Sequence, residues 1–313
     1  MLRSAIVIRI EKCAVVIAHG WHTFILPISE EENKMKNMKK KLAAVLAAMM
    51  CLMLLGACGQ NTGVNDGVLT VAMECAYMPY NWAQSDDSNG AVPIKDSNLY
   101  ANGYDVMTAK AICEANGWKL EIVQSDWDSL IPAVQAGTVD AVIAGQSMTA
   151  ERMEAVDFAG PYLYANIVCL TKKDSKYANA KGISDLAGGS CTSQSGTIWY
   201  DSLLPQIKDA DIKTPAADAP AMLMALESGT VDFVCTDMPT AQGALIAYPD
   251  FVILDFSDSS DNFEVSDEDI NIGISVRKGN TTLLNKINDY FKGKTAADFN
   301  ALMEEAIKVQ PLQ

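Results

Sequence analysis

The chain has 313 residues, enough for two domains of ordinary size, and 49% of them are hydrophobic, which provides for a sizeable core. Acidic residues outnumber basic ones by 39 to 24, so the formal net charge is −15. This balance argues against nucleic acid as a partner, because phosphates demand a basic face, and by itself it names no other ligand.

Residues 1–34 differ from the rest of the chain and show no recognisable order of helices and strands. Met35 or Met38 makes a better start, because Lys39–Lys41 form a basic segment directly ahead of the apolar run Leu42–Leu54. Our hypothesis is that residues 1–34 come from an over-extended reading frame. The alternative is a genuine but unusual extension.

The apolar run Leu42–Leu54 is 13 residues long, too short to span a bilayer as a permanent helix. It leads into Leu55-Gly56-Ala57-Cys58, which is similar to the lipobox of bacterial lipoproteins. We therefore expect residues 1–57 to hold the doubtful extension and a signal peptide, Cys58 to be lipidated, and residues 58–67 to form a flexible tether. Such an anchor would hold the protein at the outer face of the cell membrane without spanning it.

From residue 68 onwards strands and helices alternate, which is typical of a mainly parallel α/β sheet. The elements predicted up to residue 144 are strand Val68–Met73, a helix from Gly103 to about Asn116, strand Leu120–Val123, a helix that begins near Pro132 and ends at Gly137, and strand Val139–Ala144. Residues 83–102 are rich in Asp, Ser, Asn and Gly, and we interpret them as a long polar loop.

A polar loop, Gly145-Gln146-Ser147, follows the buried strand Val139–Ala144, and Thr149 suits the N-cap of a second helix with Arg152 in its first turn. In open α/β sheets, ligands bind at the carboxyl ends of the strands. This segment is the first indication of a small-molecule site.

The second half of the chain repeats this plan. The elements predicted there are strand Ile167–Leu170, strand Ser190–Ser193, the loop Gln194–Thr197, a helix from Ile198, helix Ala219–Glu227, strand Val231–Cys235, strand Phe251–Leu254, strand Ile272–Gly279, and helices Thr281–Phe291 and Ala296–Lys308. Leu226–Asp232 echoes the order of Val134–Asp140, helix, glycine, aspartate and strand. The repeat indicates two domains built on one plan.

The pattern W-D-x-L-I-P-A-x-Q-x-G-x-x-D-x-x-I-A-G-x-S-x-T-x-E-R at residues 127–152, followed by Val156-Asp157-Phe158 and Pro161-Tyr162, resembles the extracellular solute-binding proteins of polar amino-acid ABC transporters. The resemblance covers about residues 67–313, and Tyr77-Met78-Pro79-Tyr80 is similar to the family's loop Y-x-P-F.

The resemblance implies a two-lobed α/β fold of the type II periplasmic-binding-protein-like kind, with two mainly parallel sheets flanked by helices and joined by a two-segment hinge. It places lobe I at residues 68–165 and 271–313, and lobe II at residues 166–270. The implied function is that of an extracytoplasmic, monomeric receptor. It would capture an amino acid by lobe closure and deliver it to an ABC permease and its ATPase.

The resemblance also implies a site for the α-carboxylate of an amino acid. Arg152 resembles the family's arginine that grips this carboxylate, with Gly145 and Ser147 as helpers. Gly196 and Thr197 match the pair whose helix N-terminal amides reach the same carboxylate from the second lobe. The alternative for Ser147 is that it is only a loop residue without contact to the ligand.

Three further matches concern the ammonium and the side chain of the ligand. Asp237 matches the acid that accepts the ammonium, although an aspartate at the end of a strand is commonly just a helix cap. Tyr77 and Trp127 fall where the family places aromatic rings on both sides of the ligand's side chain. The alternative for these two rings is ordinary core packing.

Glu74 is the position that discriminates most between ligands. In relatives that bind lysine, arginine, ornithine or histidine, an acid at this place meets the cationic end of the ligand. Glu74 is one methylene longer than the usual aspartate, and we favour a cationic amino acid. If Glu74 instead turns outward to solvent, a neutral polar ligand such as glutamine or cystine fits.

Catalysis has little support. His19 and His22 both precede the expected cleavage, so the mature chain would lack histidine, and with it a histidine-based nucleophile or metal site. We expect a binding protein without a cofactor or metal. The alternatives are a cyclohexadienyl-dehydratase-like lyase on the same fold, with Glu74 or Asp237 as an acid, and a lipoprotein that reports ligands to a sensor without transport.

Five cysteines follow Cys58, and none of them forms a C-x-x-C pattern. Several lie in apolar strand-like runs, where a free cysteine acts as a small hydrophobic residue. Whether Cys169 and Cys191 pair stays open.

Overall fold

The computed structural model describes residues 16–19, 22–25, 64 and 66–311. The chain divides into two units, residues 1–60 and 61–313. In the first unit, strands β1 (Val16–His19) and β2 (His22–Ile25) pair antiparallel, two elements that the sequence pattern did not indicate. Valine, isoleucine and aromatic residues favour extended backbone.

The predicted lipidation site Cys58, the signal peptide before it and residues 58–63 and 65 of the tether lie outside the described residues. None of the helices in the described part of the chain is long and apolar enough to cross a membrane.

The second unit alternates strands and helices. Its strands are β3 (Val68–Met73), β4 (Ala76–Tyr77), β5 (Asn81–Gln84), β6 (Val92–Pro93), β7 (Tyr100–Asn102), β8 (Lys119–Gln124), β9 (Ala141–Val142), β10 (Val156–Tyr164), β11 (Ile167–Lys172), β12 (Ser190–Thr192), β13 (Asp211–Ile212), β14 (Phe233–Asp237), β15 (Phe251–Leu254) and β16 (Asn271–Arg277). Its α-helices are α1 (Tyr104–Asn116), α2 (Leu130–Ala136), α3 (Ala150–Ala155), α4 (Ala219–Glu227), α5 (Met238–Ala247), α6 (Asp267–Ile270), α7 (Thr281–Phe291) and α8 (Ala296–Val309).

Two five-stranded sheets carry the fold. The first has the order β10-β16-β9-β3-β8 and the second the order β13-β12-β14-β11-β15. The chain passes between them twice, from β10 to β11 and from β15 to β16. We call the part built on the first sheet lobe I and the part built on the second lobe II. The predicted two-lobed α/β fold is present, and the lobe limits given above stay a prediction.

Both sheets are mixed, so the prediction of mainly parallel sheets needs correction. In each sheet two strand pairs are parallel and two are antiparallel. Parallel neighbours require a crossover connection. The strand β11 instead follows β10 directly into the other sheet, and β16 returns to run against both β9 and β10.

Local signals predicted the helix ends well. Gly137 ends α2 in the left-handed conformation, with φ of 74°, and Gly117 ends α1 with φ of 71°. The predicted helix from Ile198 is present, but as a π-helical segment (Trp199–Leu203) followed by a short 3-10 turn (Leu204–Gln206) rather than as a regular α-helix. Pro205 lies in the second turn and has no N–H to continue an α-helical hydrogen bond.

The predicted polar loop at residues 83–102 is also wrong in part. Strands β4 to β7 form a small antiparallel sheet in the order β4-β5-β7-β6, and Trp82 within it is buried. These strands have two to four residues, too few to show an alternating hydrophobic pattern.

The five cysteines of the second unit are buried free thiols: Cys75, Cys113, Cys169, Cys191 and Cys235. The pairing of Cys169 and Cys191, left open by the sequence, is therefore absent among these residues. Cys169 lies opposite Cys235 in the β11–β14 ladder instead.

Candidate functional site

The predicted site residues lie where strand ends of the two lobes face each other. Glu74 directly follows β3, Gly145 lies just beyond β9, and Asp237 ends β14. Because both lobes turn their strand ends to the same cleft, side chains far apart in sequence come into contact there.

Asp237 is buried and accepts hydrogen bonds from both lobes. Its Oδ2 accepts from the hydroxyl groups of Tyr77 at 2.8 Å and Tyr80 at 3.0 Å, which belong to lobe I. Its Oδ1 accepts from the backbone N–H of Thr240 at 2.8 Å and caps helix α5. Asp237 is thus a helix cap, which is the alternative role considered for it above, and it also faces the cleft. Burial raises its pKa, and the hydrogen bonds oppose that rise.

Arg152 reaches across the cleft from lobe I. One guanidinium nitrogen donates to the carbonyl of Ser147 at 3.0 Å, and the other donates to the carbonyl of Gly196 in lobe II at 3.0 Å. The guanidinium also lies over the ring of Trp127, 5.4 Å from its centroid. The indole N–H of Trp127 donates to the same Gly196 carbonyl at 3.3 Å. Burial lowers the pKa of Arg152 to about 10, so the side chain stays charged at neutral pH.

The short helix α3 places Arg152. Thr149 is its N-cap, as predicted, and the hydroxyl of Thr149 accepts from the backbone N–H of Arg152 at 3.3 Å. The capping bond therefore ends on the same residue whose side chain enters the cleft.

Gly145 lets two aromatic rings approach the strand end. Its φ is 63°, and a Cβ at this position would lie 2.7 Å from the ring of Tyr77 and 3.1 Å from that of Tyr80. The two tyrosine rings stack on each other with centroids 4.6 Å apart. A side chain at position 145 would displace Tyr77 and Tyr80, whose hydroxyl groups both donate to Asp237.

Glu74 is buried rather than solvated, at 6% exposure. Its Oε1 accepts from the amide of Gln194 in lobe II at 3.5 Å, and its Oε2 has no hydrogen-bond partner among the described residues. Burial raises the pKa of Glu74 to about 7, the Gln194 bond opposes this, and the charges of Asp218, Asp126 and Asp128 add to it.

An acidic cavity of about 380 Å³ opens beside Glu74. Residues of both lobes line it: Glu74, Asp126, Trp127, Asp128, Ser195, Pro215, Ala217 and Asp218. Its size falls within the range of about 300–1,000 Å³ that is usual for small-molecule sites. We call it the acidic cavity below.

Thr197 and Gly196 make hydrogen bonds within the protein through other atoms than their amides. The hydroxyl of Thr197 donates to the carbonyl of Gln194 at 2.7 Å, which holds the loop together. The Gly196 carbonyl accepts from Arg152 and Trp127, and the segment that follows begins as a π-helical turn. The contact of the Gly196 and Thr197 amides with a ligand carboxylate stays a prediction.

A buried network behind the cleft fixes the loops of lobe I. Asp105 accepts from the hydroxyl of Tyr162 at 2.6 Å and from the amide of Asn81 at 2.7 Å. The backbone N–H of Gly145 donates to the Tyr162 hydroxyl at 3.1 Å, and that of Cys75 donates to Asn81 at 2.7 Å. Burial raises the pKa of Asp105 to about 7. The network links the loop after β3 to the loop after β9.

The structure gathers all nine predicted ligand residues at this cleft, where their roles stay predictions: Glu74, Tyr77, Trp127, Gly145, Ser147, Arg152, Gly196, Thr197 and Asp237. Sequence reasoning missed Tyr80, Gln194 and Asp218. The signal for Tyr80 was present, because it stands where the family loop Y-x-P-F has phenylalanine. Within residues 66–311, no three or more His, Cys, Asp or Glu side chains are grouped so that they could hold a metal ion.

A family model described as bacterial extracellular solute-binding proteins, family 3, matches residues 69–305. A probable histidine-binding protein of Campylobacter jejuni is 30% identical over 223 residues, which cover 69% of this chain and 80% of the relative. A probable histidine-binding protein of Neisseria gonorrhoeae is 29% identical over 270 residues, which cover 81% of this chain and 89% of the relative.

Solved structures match as well. An amino-acid ABC transporter substrate-binding protein from Streptococcus pneumoniae, bound to L-arginine, is 25% identical with a TM-score of 0.64, covering 78% of this chain and 95% of that one. An ancestral amino-acid-binding protein, a precursor of cyclohexadienyl dehydratase, is 28% identical with a TM-score of 0.61, covering 77% and 96%. These neighbours confirm the predicted type II periplasmic-binding-protein-like fold. With a family match that spans most of its length, this chain belongs to the bacterial extracellular solute-binding proteins of family 3.

Proposed function

We propose that the protein captures an amino acid outside the cytoplasm and delivers it to an ABC permease and its ATPase. One observation carries this: two opposite charges face the cleft, the half-buried Arg152 of lobe I and the buried Asp237 of lobe II, and neither forms an ion pair in the described part of the chain. An amino acid brings a carboxylate and an ammonium, which complement these two charges when it leaves water. The histidine-binding relatives and the arginine-bound neighbour support the same ligand class.

Capture takes place by closure of the lobes about a hinge near Asn166–Val168 and Asn271–Ile274. The support is that both lobes supply contacts, since Tyr77 meets Asp237 and Arg152 meets Gly196 across the cleft. A ligand held from both sides binds best to the closed state and shifts the population toward it.

Within the amino acids, a cationic ligand fits best. Its side chain would pass between Tyr77 and Trp127 and place its positive end at Glu74, which is buried and carries one unpartnered oxygen. A glutamate or aspartate ligand would place a like charge there, which costs several kcal/mol at a desolvated site.

A thermal-shift screen tests the proposal with the twenty amino acids plus ornithine and citrulline. A ligand that binds only the folded state raises its melting temperature. We expect a basic amino acid to give the largest rise. A screen in which none of these compounds shifts the transition would contradict the proposal, and a largest rise with aspartate or glutamate would contradict the cationic preference.

The receptor is held at the outer face of the membrane by a lipid on Cys58. We expect mass spectrometry of the membrane fraction to find a diacylglyceryl-modified peptide that begins at residue 58. An unmodified Cys58 inside a longer soluble chain would contradict the anchor and leave the ligand proposal standing.

A dehydratase-like activity is the second candidate, because a solved neighbour is a precursor of cyclohexadienyl dehydratase. Glu74, with a pKa raised by burial to about 7, has the proton affinity of a general acid at neutral pH. Incubation of the purified protein with prephenate or arogenate separates the two. Turnover would favour the lyase, and unchanged substrate would favour binding alone.

A further inference from the structure

The acidic cavity joins carboxylates of both lobes around one buried group. Asp126 and Asp128 flank Trp127 in lobe I, and Asp218 approaches from lobe II. Aspartates in a loop are ordinary by themselves. The independent observation is Glu74, a residue with only 6% exposure that lines the same cavity and whose Oε2 has no partner among the described residues. A buried unpartnered acceptor is costly unless a ligand donates to it.

Asp218 is held in a defined position in the wall of this cavity. It is the N-cap of α4, and its Oδ1 accepts from the backbone N–H of Ala221 at 2.8 Å. Its Oδ2 accepts no hydrogen bond from the described residues. Among the charges that act on Glu74, that of Asp218 has the largest effect, ahead of Asp126 and Asp128.

Two carboxylates from opposite lobes, those of Glu74 and Asp218, therefore line the same cavity. A cation bound between the two carboxylates adds two Coulomb attractions that outweigh their mutual repulsion, so it favours the closed arrangement of the lobes. A neutral side chain in the same place would leave the repulsion in force.

The shape of the cavity favours one kind of cation. A guanidinium is planar, carries donors on more than one edge and stacks on aromatic rings, whereas an ammonium is a compact, strongly hydrated point charge. The cavity is lined by carboxylates of both lobes, and Trp127 forms part of its wall.

We propose that Asp218 is a specificity-determining residue, and that the acidic cavity takes the guanidinium group of a guanidino amino acid between Glu74 and Asp218. The inference rests on the proposed function, since Arg152 and Asp237 must hold the amino-acid end of the same ligand.

Calorimetry on the full chain tests this with Asp218→Asn, using arginine and its neutral isostere citrulline. Asparagine caps a helix as well as aspartate does, so the variant keeps the end of α4 and loses only the charge. We expect Asp218→Asn to weaken arginine binding by about tenfold or more and to change citrulline binding by less than about twofold. Asp258→Asn removes an exposed charge away from the cavity and is expected to leave both affinities unchanged.

A double-variant cycle adds a second measurement. With Glu74→Gln and Asp218→Asn combined, the loss for arginine should differ from the product of the single losses, because one guanidinium meets both carboxylates. Lysine should bind the wild-type protein about tenfold more weakly than arginine, because its ammonium cannot bond along two edges.

Three results would overturn the inference and leave the proposed function intact. These are an unchanged arginine affinity in Asp218→Asn, an equal loss for arginine and citrulline, and tighter binding of lysine than of arginine. A wild-type protein that binds no amino acid at all would overturn the proposed function itself, and this inference with it.

Discussion

Asp237 has three hydrogen-bond partners, and all of them are neutral: Tyr77, Tyr80 and Thr240. Hydrogen bonds to a charged group contribute about 1.5–3 kcal/mol each, whereas burying a carboxylate costs several kcal/mol. Burial is the stronger effect, because the pKa of Asp237 is raised in spite of these bonds. A ligand ammonium would supply the missing positive charge. Tyr80 donates one of these hydrogen bonds. The family loop Y-x-P-F has phenylalanine at this position, which has no hydroxyl group to donate.

Removing either charge of the cleft tests where the amino acid binds. We expect Arg152→Ala to abolish binding and Asp237→Asn to weaken it severely. Each substitution leaves one charge of the ligand buried without a partner. This costs about 3–5 kcal/mol, which lowers the affinity by roughly two to three orders of magnitude. Calorimetry measures the affinity of both variants. Arg152→Lys is the matched control, because it keeps the positive charge and loses the planar guanidinium group that can donate two parallel hydrogen bonds. Near-native affinity in folded Arg152→Ala would refute the placement of the site.

Glu74 should make the stability of the protein depend on pH. Its pKa is about 7 in the folded chain and 4.5 ordinarily. Below the lower value both states hold the proton. Between the two values the unfolded chain loses it first, so stability falls as pH rises, and above about 7 the loss is complete.

The variant Glu74→Gln removes this titration. We expect it to match the wild-type free energy of unfolding near pH 4 and to exceed it at pH 8 by at most about 3 kcal/mol. Urea unfolding at several pH values measures the difference, with the exposed Glu305→Gln as control. Parallel profiles for Glu74→Gln and the wild type would show that Glu74 is solvated in the folded state.

At the scale of elements, the site depends on pieces too short to be stable alone. Helix α3 has six residues, and an isolated helix of that length does not persist in water. Its cap by Thr149 and the strand β10 that follows it directly hold it in place. Arg152 reaches the cleft only while this turn is formed.

Thr149→Ala should therefore lower both stability and affinity. We expect the free energy of unfolding to fall by about 1 kcal/mol because the N-cap is missing. We also expect weaker ligand binding, because the backbone of Arg152 is no longer held by the capping hydrogen bond. Chemical unfolding and calorimetry measure the two effects. Thr149→Ser keeps the hydroxyl and should behave like the wild type. If Thr149→Ala binds normally, the cap does not position Arg152.

At the scale of the whole molecule, the two sheets are joined by only two connections, and the site lies between them. Contacts such as those of Tyr77 with Asp237 and of Gln194 with Glu74 exist only while the lobes are close. Ligand binding and lobe closure should therefore be one equilibrium.

Small-angle scattering should detect this equilibrium as a smaller radius of gyration at saturating ligand. Asp237→Asn, at the same ligand concentration, should stay at the larger value, because it lacks the contact that holds the ligand to lobe II. An unchanged radius in the wild type would count against closure, whatever the affinity.

The features that depend on a few neighbouring residues could be predicted from the sequence. The bounds of β3, α1, α4, β15 and α7 agree with those predicted, and so do the caps at Gly137 and Thr149. Apolar periodicity, caps and glycine conformations act within one or two helical turns, so they can be recognised without the rest of the fold. The family pattern at residues 127–152 then supplied the fold class.

Which of these helices, strands and loops contact each other became clear from the three-dimensional structure. The antiparallel halves of the sheets, the small sheet of β4 to β7, and the burial of Glu74 all lack a local signal. Tyr80 and Asp237 are 157 residues apart, and Gln194 and Glu74 are 120 apart. Such contacts arise from the packing of whole lobes, and a side chain's burial depends on that packing rather than on its neighbours along the chain.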